Sequence, residues 1–332
     1  MKPVFLLQNN FKFHKLTWSL PKTPFVNFGR FYEDKLDKKH VLAMRRKLHR
    51  HVHVLSEEIG PRNLNHYICL NKASDYISGE MKNAEGLFST QPYKCDKKEV
   101  ANLIFEKPGS ERPEEILIIG AHYDTVLESP GADDNATGIA ALLELIHLLH
   151  DYPNSRTLRF VAFTLEEPPY FGTDLMGSRY YARHCFEMKE QIVGMIAFEM
   201  LGYFSEKKRS QKYPISSMAQ KFPSTGNFLA VLGNNQSDLL TKQITLFMRE
   251  PSLLDIGSFI TYNHIPGNEL SDHSSFWHYN YPAAMITDTA FYRNPHYHEI
   301  TDSIDKLNFR YFAKGVLSMA HMLKKLDRFT DL

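Results

Sequence analysis

The chain has 332 residues, enough for one large α/β core, and its 43% hydrophobic and 23% charged residues are an ordinary globular balance. The formal net charge is +1 and no apolar run is long enough to cross a bilayer, so neither a nucleic acid nor a membrane is expected as a partner. Three cysteines, Cys69, Cys95 and Cys185, are widely spaced and suggest neither a disulfide framework nor a cysteine metal site, which makes a reducing, cytoplasmic setting the simplest reading.

Residues 1–32 contain no Asp or Glu but carry Lys2, Lys12, Lys15, Lys22 and Arg30 among Phe5, Phe11, Phe13, Trp18, Phe25, Phe28 and Phe31. The apolar stretch Pro3–Leu7 is too short for a secretory signal, and a transit peptide would be richer in Ser and Arg. Residues 1–35 therefore read as a basic, aromatic arm that packs on the main domain, residues 36–332, or on a second subunit. His40–Glu58 spaces its apolar residues three and four apart and predicts a helix stopped by Gly60-Pro61. Leu70–Met81 predicts a second helix, and Leu87–Cys95 and Val100–Glu106 two strands followed by the turn Lys107-Pro108-Gly109.

Ile116–Ala121 (ILIIGA) is a near-continuous apolar run, which marks a strand buried on both faces. A helix is predicted over Asp134–His150. Further strands are expected at Thr157–Thr164, Val193–Phe198, Phe228–Leu232 and Ala283–Thr287, and helices at Leu175–Glu187, Ser237–Met248 and Phe309–Leu326. Strands alternating with helices imply an α/β sandwich of three layers around a mixed, mainly parallel sheet, with ligands beyond the carboxyl ends of the strands. Tyr203–Asn227 has no clear period and holds Lys207, Lys208, Arg209, Lys212 and Lys221; it reads as a long surface loop, a candidate lid.

Five clusters follow predicted strands. In Ala121-His122-Tyr123-Asp124-Thr125 the imidazole can bind a metal while Asp124 fixes its tautomer, although a satisfied buried histidine has the same appearance. Pro130-Gly131-Ala132-Asp133-Asp134-Asn135-Ala136-Thr137-Gly138 opens the long helix; one of its acids would serve as an N-cap and leave the other for a cation. Glu166-Glu167 ends an apolar strand, where like charges repel unless a cation or proton intervenes. Glu199 closes the strand VGMIAF and is costly to bury unpaired. Asn294-Pro295-His296-Tyr297-His298-Glu299-Ile300-Thr301-Asp302 offers two histidines, and position alone does not choose between them. Imidazoles and carboxylates in this mixture suit zinc, with cobalt or manganese as alternatives.

The order AHYDT, PGADDNATG, LEEPP, AFEMLG, SDHSSFW and NPHYHEITDS resembles the co-catalytic, two-zinc aminopeptidases of the bacterial leucyl type, relatives of the glutamate carboxypeptidases and glutaminyl cyclases. The resemblance runs from about Leu48 to Leu326, leaves the arm aside, and implies a zinc exopeptidase-like domain. It implies His122, Asp133, Glu167, Glu199 and His298 as ligands of two zinc ions, with Asp133 bridging them, Glu166 as general base, Asp124 orienting His122, Asp134 behind the bridge, and His296 outside the set. Asp272 and His273 fall near the site without an assigned role. Many members carry Asp where this chain has Glu199, whose extra methylene lengthens that arm. The implied activity is metal-dependent removal of N-terminal residues from peptide or aminoacyl substrates by water activated between the metals. The rival readings are a one-zinc, glutaminyl cyclase-like acyl transfer and a non-catalytic binding protein on the peptidase fold.

Overall fold

Eight strands form one sheet in the order β1-β2-β4-β3-β5-β8-β6-β7. They are β1 Leu87–Cys95, β2 Lys98–Lys107, β3 Arg112–His122, β4 Arg156–Phe163, β5 Gln191–Glu199, β6 Phe228–Asn234, β7 Asp255–Thr261 and β8 Ala283–Thr287. The computed structural model describes residues 38–261 and 267–330, so the N-terminal arm lies outside the described residues. The central strands β4, β3, β5 and β8 run parallel, as do β6 and β7, while β1/β2, β2/β4 and β6/β8 are antiparallel. The sheet is thus mixed and mainly parallel.

The helices are α1 Lys38–His53, α2 Tyr67–Lys82, α3 Gly138–Leu148, α4 Gly177–Glu187, the short α5 Ser216–Ala219, α6 Asp238–Arg249, α7 His273–His278 and α8 Phe309–Arg328. On one face of the sheet a large apolar core joins α1, α2, α3, α6 and α8; on the other, Tyr181, Ala182 and Cys185 of α4 and Phe276 of α7 meet Ile118, Val161 and Met195. These two cores make the three layers expected. Helix α3 is buried almost all round, which accounts for its nearly all-apolar sequence, broken by the buried Glu144 and by His147. In α1 the stripe Met44, Leu48 and Val52 faces inward, and the chain continues through a wider turn to Gly60 at φ +77°. Asn308 caps α8 by accepting from the N–H groups of Arg310 and Tyr311.

Three expectations are corrected. The helix expected from Asp134 begins at Gly138, because Asp134 (φ −105°, ψ 88°) and Asn135 (φ −134°, ψ 46°) are not helical. Asn135 is the residue that caps: its Oδ1 accepts from Gly138 N at 3.0 Å, and its amide donates to Phe198 O at 2.7 Å. Strand β7 was not expected; it pairs only with β6 at the sheet edge, and Asp255 and Gly257 break its apolar pattern. The stretch Tyr203–Asn227 is not wholly irregular, since it contains α5 and is cross-tied by Ser205 N to Gly226 O and Gln211 N to Ser224 O.

Candidate active site

Four parallel neighbours in the sheet deliver the site. His122 ends β3, Glu166 and Glu167 follow β4, Glu199 ends β5, and the loop after β8 carries His298. Strand β3 lies between two parallel partners, so the apolar run that makes it a central strand also brings His122 to its buried end. Arg62 then fixes the exit. Its guanidinium is buried and donates to Tyr123 O, Pro130 O and Gly131 O at 2.7, 2.6 and 2.8 Å, tying the end of β3 to the turn that precedes Asp133. Gly131 is required in that turn: φ is +60° and a Cβ would fall 2.3 Å from Thr125 Cγ2.

Asp134 sits at the centre. Its Oδ1 is 3.3 Å from His122 Nε2 and its Oδ2 3.4 Å from His298 Nε2. Glu199 Oε2 lies 3.3 Å from the same His122 nitrogen, and Glu167 Oε2 lies 3.1 Å from the same His298 nitrogen. The result is two imidazole–carboxylate groups sharing one aspartate. Glu166 is set back, 3.9 Å from His122 Nε2. Asp124 faces His122 Nδ1 at 3.5 Å and also accepts from the N–H groups of Glu166 and Glu167 at 3.0 and 3.1 Å. One carboxylate therefore sets the imidazole and the glutamate pair together. Ser271 Oγ donates to Glu199 Oε2 at 2.8 Å, which steadies the longer arm.

Asp133 does not enter this cluster, contrary to expectation. Its carboxylate turns the other way and accepts from Gly202 N and Asn294 Nδ2, both at 2.8 Å, while Asp288 hydrogen-bonds it from the end of β8. Burial and the adjacent Asp288 push the Asp133 carboxyl up. Both of its oxygens are engaged by these partners and not by either imidazole of the cluster. Asp302 directs the two side chains apart by accepting from both Asp133 N and Asp134 N, at 3.0 and 3.1 Å. His296 stays out of the cluster, 2.8 Å from Thr301 Oγ1.

The electrostatics are those of a cation site. Burial pushes Glu166 up, with Glu167, Glu199 and Asp272 adding to it; burial and Asp134 push Glu167 up to about 7. Burial opposes the ionisation of Asp134 as well, yet the two imidazoles hold it below the usual carboxylate range. The same carboxylates raise His298 to about 10 against its own burial. His122 Nε2, Asp134 Oδ2 and Glu167 Oε1 are buried without hydrogen-bond partners. Ligand atoms of His122, Asp134 and Glu167 all lie within 4.8 Å of one another. Orphaned donor atoms of hard and borderline type at this spacing fit divalent zinc, which would neutralise the clustered carboxylates.

Sequence reasoning missed Arg62, Asp288, Asn294 and Tyr297. Asp288 had a usable signal, a carboxylate just after a strand. The other three act through contacts that no local pattern announces. Tyr297 stacks on His298 with ring centroids 3.8 Å apart, and burial together with the charges of Asp134, Glu167, Glu166 and Glu199 pushes its phenol up. Beside Glu199 and Tyr297 opens a cavity with apolar walls, including Leu232, Phe259, Met285 and Met218. Gln211–Pro214 border it, so the long excursion after β5 does reach the pocket. Of its cations only Lys212 lines the cavity; Lys207, Lys208 and Arg209 are exposed and lie outside the lining.

Residues 102–321 match the sequence profile of peptidase family M28. Protein YfbL of Escherichia coli is 35% identical over 289 residues, which cover 84% of this chain and 88% of that one. Leucine aminopeptidase 1 of Emericella nidulans is 25% identical over 246 residues, 67% of this chain, and the match spans 55% of the fungal protein. A zinc aminopeptidase from Bacillus subtilis shares the fold at a TM-score of 0.66 and 15% identity, over 83% of this chain and 93% of that one. With the profile running from β2 into α8 across every residue of the cluster, the chain belongs to peptidase family M28.

Proposed function

We propose that this chain is a zinc-dependent exopeptidase that removes N-terminal residues from peptides. The observation that carries the reading is Asp134, with one oxygen toward each of two imidazoles, beside an apolar cavity. His122, Asp134 and Glu199 would hold one ion, and His298, Asp134 and Glu167 the second; cobalt or manganese suits the same donors. Bound there, such ions supply Lewis-acid polarisation of the scissile carbonyl and lower the pKa of water.

The residues of the chain do the rest. Glu166, a neighbour of the cluster and not one of its holders, takes the proton of the attacking water and passes it to the leaving amine. Its raised affinity for protons suits a group that must gain and release one near neutrality. Tyr297 presents an O–H donor at the border of cluster and cavity, in position to meet a developing oxyanion. The substrate's α-ammonium pairs with the carboxylates, and its first side chain enters the apolar cavity. Asp124 holds His122 and the glutamate backbone in register. The cytoplasm is the compartment we infer, supported by the three free cysteines.

The test compares one apolar-headed peptide with its N-acetylated form on zinc-loaded enzyme. Free amino acid should be released from the unblocked peptide only, a chelator should stop the reaction, and zinc should restore it. Conversion of N-terminal glutamine to pyroglutamate, with the peptide bond left intact, would assign a cyclase instead. Equal cleavage of both peptides would remove the aminopeptidase assignment.

A further inference from the structure

The near-zero net charge conceals a strong segregation. Nine acids, Asp124, Asp133, Asp134, Glu166, Glu167, Glu199, Asp272, Asp288 and Asp302, are buried in and around the site, so the outer surface is left with a surplus of cations. That surplus gathers on one helical layer. Helix α1 reads KKHVLAMRRKLHRHVH, with six Lys or Arg and no acid. Its buried stripe is Met44, Leu48, His51 and Val52, which leaves Lys38, Lys39, Arg45, Arg46, Lys47 and Arg50 exposed around the rest of the circumference. Lys47 and Arg50 reach Glu144 and Glu80. Helix α8 packs alongside on the same face of the sheet and exposes Arg310, Lys324, Lys325 and Arg328. Its only acid, Asp327, is buried, accepting from Ser155 N and Arg156 N.

We propose that the outer side of α1 and α8 docks the protein on an anionic lipid bilayer. A group of this many Lys and Arg on adjoining helices is what anionic headgroups attract. Both helices belong to the same layer on one face of the sheet and contact each other. Leu42 is 44% exposed among the α1 cations and supplies an apolar contact within the patch. In the sequence, residues 1–32 carry five cations and no acid among phenylalanines and Trp18, and Glu33, Asp34 and Asp37 separate them from α1. Charge paired with insertable apolar groups provides the two signals that stable bilayer attachment takes. Among the described residues no helix is long and apolar enough to cross a membrane.

The test is co-sedimentation of the full, zinc-loaded chain with phosphatidylcholine vesicles, with and without phosphatidylserine. Binding should require phosphatidylserine and disappear at high salt. Arg45→Glu/Arg46→Glu should weaken it at least about tenfold, with peptide hydrolysis unchanged because neither residue is near the site. Arg45→Gln/Arg46→Gln, checked for an unaltered melting temperature, should weaken it in the same direction and covers the case in which charge reversal disturbs folding. Equal binding to neutral vesicles, binding untouched in both variants, or retention by an oligonucleotide with no vesicle binding would each overturn the proposal.

Discussion

Asp133 and Asp134 are neighbours in the chain with carboxylates turned to opposite tasks. Asp134 stands between His122 and His298, whereas Asp133 accepts from Gly202 and Asn294 and is in hydrogen-bond contact with Asp288. Asp302 holds both backbone N–H groups and so fixes which way each side chain points.

Asp134→Asn should therefore empty the metal site and abolish turnover, since the shared carboxylate is lost to both halves of the cluster. Asp133→Asn should keep its metal. An amide can replace a protonated carboxyl in that pair, at a cost of about 1–3 kcal/mol for hydrogen bonds that no longer match. Metal analysis of the two purified variants checks this. Metal retained by Asp134→Asn and lost by Asp133→Asn would return the bridging role to Asp133.

Glu166→Gln separates proton transfer from metal holding. Glu166 lies 3.9 Å from His122 Nε2, outside the shorter contacts made by Asp134, Glu199 and Glu167. The variant should keep its zinc and lose about 10²–10⁴-fold in kcat, the usual worth of general acid–base catalysis. Loss of zinc in place of loss of turnover would exchange the roles of Glu166 and Glu167.

Much of this site was legible in the sequence because parallel strands make ligand positions periodic in the chain. Apolar runs locate β3, β4, β5 and β8, and chemistry-bearing residues at their ends share one edge of the sheet. Strands β1 and β8 match their expected bounds, Leu87–Cys95 and Ala283–Thr287. What was not legible depends on contacts between distant segments. The choice between Asp133 and Asp134 is made by Asp302, about 170 residues further on, with a separation of 169 from Asp133. Asp255–Thr261 has no strand pattern of its own and is a strand because β6 offers it an edge. The apolar cavity is assembled from β6, β7, β8 and the excursion after β5, so no single segment of sequence contains it.

Away from the candidate metal site, the buried Glu144 links α3 to α1. Its oxygens meet His51 Nε2 and Lys47 Nζ, both at 3.1 Å. Burial works against the ionised form, but these two partners outweigh it and hold the carboxylate below its ordinary value of 4.5. A carboxylate whose folded pKa is depressed adds stability that is complete above its unfolded pKa and lost as pH falls through the folded one. Glu144→Gln should then cost about 1.5–3 kcal/mol near neutrality, the range for hydrogen bonds to a charged group. The difference between wild type and variant in chemical denaturation should shrink as the pH falls below about 4.5 and through that lowered value. A difference that stays constant or grows toward acid would mean that the charge on Glu144 does not contribute.

The cavity makes the most specific demand on substrates. Leu232 of β6, Phe259 of β7 and Met285 of β8 form apolar walls, and Met218 of the excursion adds another, while Glu199 stands at the end nearest the metals. Burying an apolar side chain is worth about 1.5–3 kcal/mol, and a charged one would be desolvated here with little compensation. Peptides beginning with Phe, Met or Leu should therefore be cleaved with a kcat/KM at least tenfold above peptides beginning with Asp or Lys. Met218→Glu places a carboxylate in the wall without touching a metal-holding residue. It should lower kcat/KM for phenylalanyl peptides by about 10–100-fold, the equivalent of losing one apolar contact and gaining one misplaced charge. Zinc content and the residual rate on alanyl peptides, whose side chain is too short to reach the wall, should change little. If phenylalanyl and alanyl peptides lost activity equally, the cavity would not be the place where the first side chain binds, and the selectivity of the enzyme would have to lie on the opposite side of the metal cluster.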